Sequence, residues 1–160
     1  RKLTIYDAQK RDSDDSNGET NYMFIRYADV LLMFAEAQNE VDATPSDAVY
    51  DAVNRVRGRV GMPTYAYGSK SQSEMREIIR HERRVEFAGE GLYYNDIRRW
   101  MIGDVVKDIY GVKITKKGSK YSYTPTKIQT RVWNEKMNLY PIAQSEIYKN
   151  GNLTQNDGWE

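Results

Sequence analysis

Between Ser71 and Ala88 the chain spells a helix whose buried stripe contains a carboxylate. Met75, Ile78, Ile79 and Val85 recur at three- and four-residue spacing, and the residue that completes the stripe is Glu82. An ionised carboxylate on a burying face is tolerated only where a cation and hydrogen bonds meet it. This helix therefore has to dock against arginines, which excludes any fold in which it lies alone on a surface. Ser71 and Glu74 form a capping box that starts it, and Gly89 stops it.

Candidate partners stand close by in "RRVEFAGEGLYYNDIRRW", Arg83 to Trp100. A fourth helix is predicted from Leu92 to Ile102, with Tyr93, Tyr94, Ile97, Trp100 and Met101 as its stripe. The glycines of "GEG" permit the reversal between the two helices. The expected arrangement is an ionic lattice of Glu82, Arg83, Glu86, Asp96, Arg98 and Arg99 clamping the third helix to the fourth. Two other chemistries share these residues. Paired carboxylates such as Glu82 and Glu86 serve glycoside hydrolysis, and four clustered arginines serve anion binding.

The preceding segments read as helices too. Phe24, Tyr27, Leu31, Phe34 and Ala35 mark a first helix to about Val41. Ser46 caps a second, with Val49, Val53, Val56 and Val60 as its stripe; Arg55, Arg57 and Arg59 lie off it. The short connection favours an antiparallel pair, the unit of tetratricopeptide-like arrays. A small hairpin is expected at 112–124 around "KKGS", and "AQSEIYKNG" reads as a brief helix. Leu153 and Trp159 are set to pin the tail. At the other end, "KLTIY" reads as a short strand and "DSDDSNGETN" as a solvated loop. Ser13, Asp15, Asn17 and Gly18 imitate half of a calcium loop, but Phe24 stands where the bidentate Glu belongs. The whole is expected to form a single domain over 1–160, divided into 1–20 strand and loop, 21–61 helix hairpin, 71–102 helix pair, 112–124 hairpin and 137–160 C-terminal segment.

Composition narrows the chemistry. Lys plus Arg (24) nearly cancels Asp plus Glu (23), so no global field draws in nucleic acid. Cysteine is absent and His81 is the one histidine, which removes thiol chemistry and any ordinary zinc site. No cofactor or metal is expected. No apolar run approaches the roughly 20 residues that cross a bilayer.

Four segments in order, "IRYADVLLMFAEAQNEV", "AVNRVRGRVGMP", "IIRHERRVEFAGEGLYYNDIRRW" and "LYPIAQSEIYKNGNLTQNDGW", resemble the C-terminal part of the SusD/RagB family. The resemblance implies a mainly α protein: tetratricopeptide-like helix pairs with irregular loops and a small β-hairpin. It also implies a non-catalytic binding protein of the outer-membrane surface, held there by an N-terminal lipid absent from this chain. Such a protein takes up an oligosaccharide or other nutrient and hands it to a SusC-like TonB-dependent transporter. The family's motif falls on Glu82, Arg83, Glu86, Asp96, Arg98 and Arg99, again as scaffold. The alternatives are a tetratricopeptide-like scaffold that binds protein partners and, further off, a glycan hydrolase. Sugars are held by flat aromatic faces and planar polar groups. The aromatics least explained by a core stripe are Tyr65, Tyr67 and Trp133, and these are the candidate ligand contacts.

Overall fold

A computed structural model describes residues 23–160. The expected opening strand and the loop with Ser13, Asp15, Asn17 and Gly18 lie outside the described residues. The chain is mainly α, with one two-stranded antiparallel hairpin. It divides into two compact units, one ending at Glu86 and the other running Phe87–Glu160.

The first unit is built on three helices: α1 (Tyr27–Val41), α2 (Asp47–Arg59) and α3 (Gln72–Glu86). Its apolar centre is Leu32 and Ala35 from α1, Val49, Tyr50, Val53 and Val56 from α2, and Met75 and Ile79 from α3. These are the positions that three- and four-residue spacing places on one face. The ends of the helices are fastened by polar groups. Buried Asn39 donates to the Gln72 carbonyl at 3.0 Å, and the Gln72 amide donates back to the carbonyls of Asn39 (2.9 Å) and Asp42 (2.8 Å). The buried Tyr50 hydroxyl accepts from the Lys70 N–H at 2.8 Å. The capping box forms as predicted: the Ser71 N–H donates to Glu74 at 2.8 Å, and the Glu74 N–H to the Ser71 hydroxyl at 3.3 Å. At the end of α2, Gly61 takes φ +72° while Met62 N–H reaches the Arg57 carbonyl and Gly61 N–H that of Gly58. That is a Schellman turn.

The second unit holds α4 (Leu92–Arg99), a 3-10 turn at Gly103–Val106, strands β1 (Asp108–Lys117) and β2 (Lys120–Thr130), a second 3-10 turn at Glu135–Asn138, and α5 (Gln144–Lys149). The helix α4 ends earlier than its stripe suggested. Met101 enters the left-handed region at φ 55°, and the N–H groups of Met101 and Ile102 return to the carbonyls of Arg98 and Ile97. The same Schellman turn is thus closed here by a residue with a side chain.

The hairpin is longer than the expected 112–124. Pairing continues to Asp108 opposite Thr130, and the Asp108 carboxylate accepts from Lys127 (2.9 Å) and the Thr130 hydroxyl (2.8 Å). Those bonds hold that carboxyl below its ordinary pKa, Lys127 contributing most. Gly118, with φ +62°, opens the two-residue loop at the tip. The tail is anchored as expected by Trp159, whose indole N–H donates to the Lys136 carbonyl at 2.9 Å.

Candidate functional site

The dense acidic and basic stretch resolves first. Glu82 (9% exposed) accepts a short hydrogen bond from Arg57, whose guanidinium also donates to the Pro63 carbonyl at 2.7 Å and lies 4.6 Å over the Tyr65 ring. Glu86 (8% exposed) takes Arg26 at 2.7 Å and Arg59 at 2.8 Å on its two oxygens. Arg83 pairs with Asp29 of α1 at 2.9 Å. The carboxylate on the buried stripe therefore has its counterion, but from α2, where the sequence reading looked to the fourth helix. Arg57 was placed off the stripe of α2. It stands four residues after Val53 and is itself buried, so it belongs to the inward face of α2.

In the second unit Asp96 pairs with Arg99 at 3.0 Å, the expected three-residue bridge. Arg98, expected in the ionic lattice, is seated on aromatic rings. Its guanidinium lies 3.6 Å from the Tyr94 ring centre, 5.1 Å from Tyr140 and 5.4 Å from Trp133, and it donates to the Tyr94 carbonyl at 3.2 Å. Delocalised, weakly hydrated guanidinium is suited to such stacking. The Tyr140 hydroxyl donates a short hydrogen bond to that of Tyr94, which raises the Tyr140 pKa.

Beside this cluster opens a cavity of ≈ 330 Å³. It is lined by Tyr93, Tyr94 and Ile97 of α4, by Val106 and Lys107 before the hairpin, and by Arg131, Val132 and Trp133 after it. Trp133 reaches its place because residue 103 is glycine: a Cβ there would stand 1.7 Å from the indole ring. The Arg131 N–H donates to the Lys107 carbonyl at 2.7 Å, so the two ends of the hairpin meet at the cavity.

Of the three candidate ligand contacts, Trp133 alone lines this cavity. Tyr65 and Tyr67 belong to the first unit. Tyr65 is fixed at its backbone by the Asn54 amide (2.8 and 2.9 Å) and roofs Arg57. Tyr67 donates to Asp51 at 2.5 Å and meets Tyr50 edge-on at 5.7 Å; half its surface remains open. Sequence reasoning missed Arg98 as an aromatic partner, and missed Tyr140 altogether. No local spacing joins residues 94, 133 and 140. Among the described residues no group of three His, Asp or Glu is placed to hold a metal ion, and no helix is long and apolar enough to cross a membrane.

The profile of the SusD family matches residues 1–159. The chain belongs to the SusD family. SusD-like protein P2 of Formosa agariphila is 33% identical over 144 residues, 86% of this chain and 26% of that protein. SusD-like protein P25 of the same organism is 30% identical over 156 residues, 96% and 27% of the two chains. In structure, the chain resembles a SusD-like protein from Bacteroides fragilis, with a TM-score of 0.73 and 35% identity over 88% of this chain and 26% of that one. A SusD homologue from Bacteroides thetaiotaomicron gives 0.61 and 26% identity, covering 96% and 31%. This chain thus spans about a quarter of the length of the curated SusD-like relatives it matches. The SusD family comprises nutrient- and glycan-binding proteins of outer-membrane utilisation systems, known as non-catalytic.

Proposed function

We infer that this chain is the C-terminal part of a non-catalytic, lipid-anchored protein of the outer-membrane surface. The full protein captures an oligosaccharide or other nutrient and delivers it to a SusC-like TonB-dependent transporter. The observation that carries this reading is the SusD-family match across residues 1–159. Two features of the chain support it. The carboxylates that a hydrolase would need, Glu82 and Glu86, are both engaged by arginines, which opposes the paired, separately titrating acids of glycoside hydrolysis. The cavity of the second unit offers Tyr93, Tyr94 and Trp133 beside Lys107 and Arg131, and its volume falls at the lower end of the roughly 300–1,000 Å³ of small-ligand sites. Trp133 is the proposed sugar-stacking residue, with Tyr67 the more open of the two loop candidates.

The test uses the full-length protein in affinity electrophoresis against a polysaccharide panel, with co-purification of the neighbouring transporter. Retention by at least one glycan, weakened about tenfold in Trp133→Ala by loss of a stacking face worth ~1 kcal/mol or more, is expected. New reducing ends that vanish in Glu86→Gln would overturn the reading.

A further inference from the structure

The near-neutral total charge of this chain conceals a strongly basic arm. From Lys107 to Arg131 there are six lysines and one arginine against the single carboxylate of Asp108, a local net charge of +6 in a chain whose total is +1. Lys127 is paired with Asp108 and Lys107 with Asp104. Lys113, Lys116, Lys117 and Lys120 form no ion pair with another described residue. Four like charges on strands of ten and eleven residues repel one another, and no carboxylate of the arm is paired with them.

The register sorts the arm into two faces. Tyr110, Val112, Ile114 and Lys116 of β1 stand opposite Lys127, Pro125, Tyr123 and Tyr121 of β2, all on one side of the pleat. The other side carries Lys113, Thr115 and Lys117 opposite Thr124, Ser122 and Lys120. Tyr110, Tyr121 and Tyr123 are each more than half exposed, so each offers part of its surface to solvent. Lys116 lies 5.5 Å over the Tyr121 ring, which joins cation and aromatic face in one place. Along a strand such residues recur about every 7 Å, and the row is roughly 30 Å long.

We propose that the β1–β2 arm is a docking strip for a linear polyanionic glycan, one bearing uronate or sulfate groups. The tyrosines stack on the apolar faces of successive sugars while the lysines meet the acid groups. An amphipathic element that lies on a membrane segregates an apolar face from a basic one, as interfacial helices do. Here lysines stand on both faces and share one of them with the tyrosines, which suits a hydrated charged chain. The inference rests on the reading of the protein as a glycan or nutrient binder, which is what selects a glycan among linear polyanions. It deepens that reading by naming the substrate class.

The experiment measures binding of the full-length protein to polygalacturonate, dextran sulfate, neutral dextran, phosphatidylglycerol vesicles and single-stranded DNA. A variant with Lys113, Lys116, Lys117 and Lys120 all changed to Gln is run beside Tyr121→Ala/Tyr123→Ala. Polygalacturonate or dextran sulfate is expected to bind ahead of neutral dextran, and to weaken about tenfold or more as salt rises from about 50 to about 200 mM through counterion release and screening. The lysine variant should lose about tenfold in affinity and most of that salt dependence. The tyrosine variant should lose affinity and keep the salt dependence. Unchanged polyanion binding by the lysine variant overturns the proposal, as does capture of vesicles or DNA ahead of both anionic glycans. Binding of neutral glycans that ignores both variants removes this inference alone and leaves the proposed function standing. A protein that retains no glycan or other nutrient at all fails both.

Discussion

The two units use the same kind of residue in opposite ways. In the first, Arg57, Arg59, Arg26 and Arg83 are matched one to one or two to one with Glu82, Glu86 and Asp29. Glu82 and Glu86 of α3 are nine-tenths buried. In the second, Lys113, Lys116, Lys117 and Lys120 of the β1–β2 arm stand in solvent with like-charged neighbours. Buried charge has to be matched because a lone ion in a poorly polarisable medium is prohibitively unstable. Exposed charge need not be, because water screens it. The contrast teaches that abundance of charge says nothing of its role until burial and pairing are known. Guanidinium in the first unit fixes a fold, and ammonium in the second produces a field.

The sharpest way to break that contrast is to remove one partner from each side. Glu82→Ala leaves Arg57 without its carboxylate in an interior position. Breaking a buried pair from one end costs about 3–5 kcal/mol, so a large drop in the denaturant midpoint is expected. Lys117→Gln on the arm should change the unfolding free energy by less than about 0.5 kcal/mol, and toward stability if like-charge repulsion is felt. Equal effects from the two substitutions would erase the distinction between the units.

A smaller effect sharpens the description of the second unit. Gly103→Ala would set a methyl group 1.7 Å from the Trp133 indole. Overpacking of this kind costs roughly 1–3 kcal/mol and displaces the ring. Tryptophan emission should shift, and glycan retention should fall in parallel with Trp133→Ala. An unaltered spectrum together with unaltered binding would show that the indole does not sit against residue 103.

How much of this was legible beforehand depends on the range of the interaction. The stripe of α2 through Val49, Val53 and Val56, that of α3 through Met75, Ile79 and Glu82, the Ser71–Glu74 box, the tip at Gly118 and the brief helix at "AQSEIYKNG" all follow from contacts within a few residues, where spacing determines geometry. The stripe of α1 does not: that helix is apolar almost all round, and it buries Leu32, Ala35 and Asn39 while Phe24, Tyr27 and Phe34 of the expected stripe stand exposed. That Glu82 requires a counterion was equally readable, since the requirement is local. Its identity was not. The pair spans 25 residues, and many arginines satisfy the same electrostatic demand. The end of α4 was misjudged because Met101 adopts a conformation that favours glycine, and its side chain gives no sign of that. The cluster around Arg98 joins Tyr94, Trp133 and Tyr140 through the folded chain alone. The basic arm was hidden by summing charge over the entire sequence when the lysines concentrate on one hairpin.

The finest distinction between the units lies in two exposed tyrosines. Both Tyr67 and Tyr140 have pKa values raised from the ordinary value near 10, for different reasons. Tyr67 donates to the Asp51 carboxylate, so its ionisation would set two negative charges against each other. Tyr140 donates to a neutral phenol. In each case the folded protein favours the protonated form. The resulting stabilisation is fully present below about pH 10 and is lost as pH rises through the raised folded value. Absorbance titration should show Asp51→Asn returning Tyr67 toward 10, since the opposing charge is gone. Tyr94→Phe should do the same for Tyr140, with Arg98 beside it then drawing the pKa down further. Because both rings are solvent-exposed, each change should leave the midpoint at neutral pH almost unmoved. If Asp51→Asn left the alkaline titration as it was, the Tyr67–Asp51 hydrogen bond would not exist in solution, and Tyr67 would be free to turn its ring toward a ligand.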